Sequence, residues 1–143
     1  MTSSPFKTTQ DLDFLQVYLI TDCMLIGNSR FLSALEEALQ GGVRSLQLRE
    51  KSLNSKDLLT LALEVKPLLQ RYNAKLFIND RADIAVMAGA DGVHLTESSV
   101  QASEVKNNFP ELIVGVSTHS LEGARLAETQ GADFITFSPI YET

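Results

Sequence analysis

The chain is 143 residues long and 44% hydrophobic, enough for one domain with a real core and short for two. A formal charge of -6 withholds the basic surplus that nucleic acid or an anionic membrane demands, and a single cysteine, Cys23, excludes an internal disulfide and a thiolate metal cluster. No apolar run reaches the ~20 residues that span a bilayer, and Met1 to Gln16 lacks the basic start and long apolar block of a signal peptide. The expected compartment is therefore the cytoplasm, with Cys23 a small buried thiol.

In chain order, residues 1–16 read as a leader and residues 17–143 as the domain. Val17 to Thr21 is a short apolar, β-branched run, and Phe31, Leu32, Leu35, Ala38 and Leu39 set the stripe of a helix that Gly41-Gly42 stops. Ser45 to Arg49 alternates leucines with polar residues, the mark of a strand with one greasy face and one face carrying Gln47 and Arg49, with Lys51 beyond. Leu58, Leu61, Ala62, Val65 and Leu69 predict a longer helix, capped by Asn54 or Ser55 and kinked or shortened by Pro67. Lys75 to Ile78 is a third strand, followed by Asn79-Asp80-Arg81, a helix over Ala82 to Ala88, and Gly89 as its left-handed terminator. Strands at Gly92 to Leu95, Ile113 to Val116 and Phe134 to Phe137 then alternate with helices over Gln101 to Asn107 and around Leu121, Ala124 and Ala127. Gly89-Ala90-Asp91 is echoed by Gly131-Ala132-Asp133, each just before a strand.

Strands separated by helices imply right-handed crossovers and a parallel sheet, either doubly wound or part of a (β/α)8 barrel. The strand-to-helix junctions are polar almost throughout: Thr21-Asp22, Arg49-Glu50-Lys51, Asn79-Asp80-Arg81, Thr96-Glu97, Ser117-Thr118-His119 and Ser138. Parallel α/β proteins bind ligands at those ends, and a ring of polar junctions suits a barrel mouth better than a single crevice. No GxGxxG, Walker lysine loop or HExxH helix is present.

Arg49 and Lys51 have the chemistry to hold a phosphate or diphosphate, the guanidinium in pairs of bonds and the ammonium as a point charge. The plainer reading is an ion pair with Glu50 or a nearby acid. Asp80 can hold Mg2+ together with substrate phosphates and water while Asn79 donates to a phosphate oxygen, or it can cap the following helix. Ser117, ending a strand before a helix, can donate to an anion. His94 is expected as a supporting residue behind the site, and His119 as a turn residue. A Ser/His hydrolase has neither a nucleophile elbow nor a matching acid.

Taken in order, Gln47-Leu48-Arg49-Glu50-Lys51, Phe77-Ile78-Asn79-Asp80-Arg81, Gly89 through Leu95, Gly115 through Ser120, and Gly131-Ala132-Asp133 through Ser138-Pro139-Ile140-Tyr141 resemble thiamine phosphate synthase and its TenI relatives from about Val17 to Thr143. The resemblance implies a (β/α)8 TIM barrel and a transferase of thiamine biosynthesis, joining hydroxymethylpyrimidine diphosphate to a thiazole phosphate with release of diphosphate. It implies Arg49 and Lys51 as catalytic cations, Gln47 toward the pyrimidine, and Arg49, Lys51 and Asn79 on the diphosphate. It further implies Ser117 at the phosphate region, Thr143 among the substrate contacts, Asp80 on Mg2+, and small phosphorylated molecules as partners.

Two departures from that pattern stand out. Ser99 occupies the place of a second metal-binding carboxylate, with Glu97 the nearest substitute, and the chain stops before the family's lysine and last two strands. The expectation is a barrel truncated after its sixth strand, with open edges that favour association between copies and little turnover alone. A TenI-type thiazole tautomerase is the alternative enzyme, but its catalytic histidine is expected where Pro139 stands. A phosphate-binding protein without catalysis is the third reading.

Overall fold

The computed structural model describes residues 9–142. Thr143, expected among the substrate contacts, lies outside the described residues. The strands are β1 (Tyr18–Ile20), β2 (Ser45–Leu48), β3 (Lys75–Asn79), β4 (Gly92–Leu95), β5 (Ile113–Thr118) and β6 (Phe134–Phe137). The helices are α1 (Cys23–Ile26), α2 (Asn28–Gln40), α3 (Ser55–Arg71), α4 (Ala82–Ala88), α5 (Ala102–Asn108) and α6 (Leu121–Thr129), and a 3-10 helix over Thr9–Leu15 precedes β1. All neighbouring strands are parallel and the six-stranded order is β1-β2-β3-β4-β5-β6. A doubly wound sheet reverses its order at a switch point. This one runs without reversal, as a half-barrel does.

Alternation along each strand sends side chains to two different places. Leu46, Leu48, Leu76, Ile78, Val93, Leu95 and Val114 face outward and are fully buried against the apolar stripes of α2 to α5, in one continuous core. The opposite face carries an aromatic cluster. Tyr18, Phe77 and Phe134 meet pairwise edge-to-face with ring centroids 5.6–5.7 Å apart, and Phe14 stacks on Phe77 at 6.0 Å. Because Tyr18 belongs to β1 and Phe134 to β6, the two edge strands touch through their rings, which requires the sheet to curl around its inner face. Each such pair is worth about 0.5–1.5 kcal/mol beyond the area it buries.

Two glycines make room for those rings. A Cβ on Gly92 would sit 2.6 Å from Phe77 Cε1, and one on Gly115 would sit 2.7 Å from Phe134 Cε2. The echo between Gly89-Ala90-Asp91 and Gly131-Ala132-Asp133 is a repeated clamp at the N-terminal ends of the strands. Asp91 donates its N–H to Leu76 O and accepts the Leu76 N–H on its carboxylate, both at 2.9 Å. Asp133 does the same with Val114, both at 2.8 Å, and its carboxylate also holds the buried Lys106 ammonium.

Pro67 lies inside α3 and does not shorten it, since the helix continues to Arg71. The carbonyl that Pro67 leaves without an intrahelical donor belongs to Leu63, a residue 51% exposed, so water can satisfy it. Asn54 is the N-cap, accepting from Asp57 N. No helix among the described residues is long and apolar enough to cross a membrane.

Candidate active site

The site begins where β2 ends. Glu50 is buried and turned beneath the loop after β1, where it accepts the Thr21 hydroxyl at 2.5 Å and the Cys23 N–H at 3.0 and 3.1 Å. Thr21 Oγ1 in turn accepts the Arg49 N–H at 3.0 Å, so the two loops are stapled together. With Glu50 committed inward, Arg49 and Lys51 stand exposed, and neither side chain has an ion pair or hydrogen bond among the described residues. The ion pair with Glu50 is thereby overturned. The same burial explains Cys23, whose thiol is pushed up to about 12 by desolvation and by the Glu50 carboxylate.

Asn79 and Asp80 face these cations across the end of β3. Arg49, Lys51, Asn79, Asp80, Thr96 and Ser98 line one cleft of about 460 Å³. Asp80 does not cap α4, because that place is taken by Arg81. It adopts a left-handed backbone with φ 64°, a strained conformation for a residue with a side chain, and its Oδ1 accepts the Ser99 hydroxyl at 2.5 Å. Arg81 points elsewhere, forking onto Asp83 at 2.7 and 2.9 Å and reaching Ser55 at 2.9 Å, which holds the Asp83 carboxyl below its ordinary range.

Glu97, the expected substitute for a carboxylate at Ser99, is not among the residues that line this cleft. Its Oε1 lies over α6, 3.2 Å from where a Cβ on Gly123 would stand. Among the described residues no three His, Cys, Asp or Glu side chains gather as a metal cage. The donor set is one carboxylate beside a cleft with two cations. That fits Mg2+, which keeps several waters and takes substrate phosphates in place of protein ligands, and fits no self-sufficient metal centre.

Gln47 and Ser117 belong to the inner face. Gln47 is 2% exposed and lies against the Tyr18 hydroxyl. Tyr18 Oη is 3.0 Å from His94 Nδ1, His94 Nε2 is 2.9 Å from Ser117 Oγ, and Thr136 Oγ1 donates to Ser117 Oγ at 3.3 Å. Burial pushes the His94 imidazole down to about 4 and raises the Tyr18 phenol, so both are neutral in this chain. Asn79 pairs with His94 in the β3–β4 register and connects the cleft to this inner row. His119 is a turn residue, its Nδ1 donating to Ser138 O at 2.7 Å.

The sequence reading missed Tyr18 and Thr136. The available signal was alternation: Tyr18 is flanked by the outward Leu19, and Thr136 stands two residues beyond Phe134 on the same face.

A family model described as thiamine monophosphate synthase matches residues 17–143. A provisionally named thiamine-phosphate synthase 2 of Aquifex aeolicus is 51% identical over 132 residues, covering 92% of this chain and 70% of its own length. Thiamine-phosphate synthase of Desulfitobacterium hafniense is 41% identical over 128 residues, covering 89% of this chain and 62% of its own length. Among solved structures, the thiamine phosphate pyrophosphorylase of Pyrococcus furiosus superposes with a TM-score of 0.84 at 33% identity, over 92% of this chain and 63% of that one. The chain thus spans between 62% and 70% of the length of these relatives. With the family model and these relatives matching nearly the whole chain, the protein belongs to the thiamine monophosphate synthase family.

Proposed function

We propose that this chain carries the diphosphate-binding part of a thiamine-phosphate synthase, in a sector of a (β/α)8 barrel. The observation that carries the reading is the pair of unpaired cations, Arg49 and Lys51, opposite Asn79 and Asp80 in one cleft of an otherwise acidic protein. In the reaction that the family's name describes, the bond between the pyrimidine methylene and the diphosphate oxygen breaks, the electron pair leaves with diphosphate, and the thiazole nitrogen bonds to the methylene carbon. Negative charge grows on the leaving group, so cations fixed beforehand favour the transition state over the ground state. Arg49 and Lys51 have that role, Asn79 donates to a diphosphate oxygen, Ser117 donates at the inner side, and Gln47 faces the pyrimidine.

Asp80 supplies the protein carboxylate for Mg2+, and the ion when bound offsets charge on the diphosphate. Ser99 on Asp80 favours a second reading, a diphosphate-binding protein with weak metal dependence and little turnover. Calorimetric titration with inorganic diphosphate and Mg2+ tests the first. Arg49→Ala is expected to weaken binding by about 1.5–3 kcal/mol, the range for a lost charged hydrogen bond. Equal affinity in the variant would reject the assignment.

A further inference from the structure

The hydroxyl of Ser117 is useful to an anion only if its proton points at the ligand. Three neighbours determine where that proton goes. His94 Nδ1 meets Tyr18 Oη at 3.0 Å, and the imidazole is the strongest neutral base within reach of the phenol, far stronger than the amide oxygen of Gln47. The phenol therefore donates to Nδ1. A neutral imidazole that accepts at Nδ1 carries its proton on Nε2, and Nε2 lies 2.9 Å from Ser117 Oγ. Thr136 Oγ1 donates to the same oxygen at 3.3 Å. Both acceptor positions of Ser117 are then filled from behind, and its own proton remains as the one unused group.

We propose that Tyr18 and His94 are positioning residues that fix the Ser117 hydroxyl as a one-way donor to an anionic ligand oxygen. The inference rests on the reading of this mouth as a diphosphate site. With the chain of donors reversed, Ser117 would spend its proton on His94 and present only lone pairs, which repel a phosphate oxygen. His94 is 2% exposed and lies against the rings of Tyr18 and Phe134, so bulk water does not compete for its two nitrogens.

The direct test is the histidine tautomer, read from ring nitrogen shifts by NMR on the intact chain. The protein has two histidines, and His119 donates from Nδ1 to Ser138, so the pair is expected to show opposite tautomers when neutral. A His119→Gln variant assigns the signals. His94 is expected with its proton on Nε2, and Tyr18→Phe, which keeps the ring and removes the hydroxyl, is expected to release that preference. In titrations with inorganic diphosphate, Tyr18→Phe and Ser117→Ala each weaken binding about tenfold, and the double variant binds no more weakly than Ser117→Ala. A proton on Nδ1 of His94 in the unaltered chain overturns the proposal, as do additive losses in the double variant. Failure of the unaltered chain to bind diphosphate counts against the functional reading, and the tautomer then decides this proposal separately.

Discussion

At the residue scale, the outcome turns on where charges are spent. Glu50 was the natural partner for Arg49 by sequence proximity, yet Thr21 and the Cys23 N–H, both distant in the chain, claim it first. Such a partner is invisible to any local pattern, and so is the left-handed φ of 64° at Asp80, which leaves Arg81 in the capping position of α4. Because Ser99 already contacts Asp80, Ser99→Asp places a second carboxylate at that oxygen, and Mg2+ is expected to strengthen diphosphate binding about tenfold more in the variant than in the parent. Unchanged Mg2+ dependence would remove Asp80 from the metal's ligands. His94 predicts a second behaviour. Its folded value of about 4 lies below the ordinary 6.5, so the unfolded chain binds a proton that the folded chain refuses between those values. Stability is full above about pH 6.5 and falls as pH drops toward 4, by about 2 kcal/mol between pH 7.5 and pH 5. Urea unfolding at both pH values is the measurement, and His94→Asn should flatten the dependence. An equal slope in that variant would assign the effect to other groups.

At the scale of elements, the sequence disclosed most where pattern and burial agree. Gly92 to Leu95 and Phe134 to Phe137 have the predicted bounds, as does α4 from Ala82 to its left-handed Gly89. Less legible was α1, whose Met24 and Leu25 are 78% and 85% exposed and so give no apolar stripe. That turn exists because Asp22 caps Met24 N and Glu50 accepts the Cys23 N–H, contacts that only the folded loops create. β5 runs on to Thr118 because polar Ser117 and Thr118 still pair with Thr136 and Phe137 in β6. The inner rings supply the sharpest prediction at this scale. Gly115→Ala would drive a Cβ into Phe134, the residue that links β6 to Tyr18 of β1, and is expected to lower unfolding stability by about 1–3 kcal/mol. Chemical denaturation checks it, and a variant as stable as the parent would show that the rings can shift without loss.

At the scale of the whole molecule, the parallel pairing of all six strands gathers their C-terminal ends on one side, where the polar junction residues stand while the aspartate clamps occupy the other. The polar junctions made that side legible from sequence alone. The way the sheet curls was not legible, since it depends on Tyr18 and Phe134 meeting across the interior from strands more than a hundred residues apart in the chain. Apolar side chains stand exposed on both edge strands, Ile20 at 52% on β1 and Phe137 at 42% on β6. In the proposed function the cleft between β2 and β3 receives diphosphate on Arg49 and Lys51. A crystal structure of the chain grown with diphosphate and Mg2+ tests it most directly. Diphosphate oxygens are expected within hydrogen-bond distance of Arg49, Lys51 and Asn79, with the metal on Asp80. Diphosphate bound instead at the opposite end of the strands, beside Lys66 and Lys75, with the Arg49 cleft empty, would contradict it.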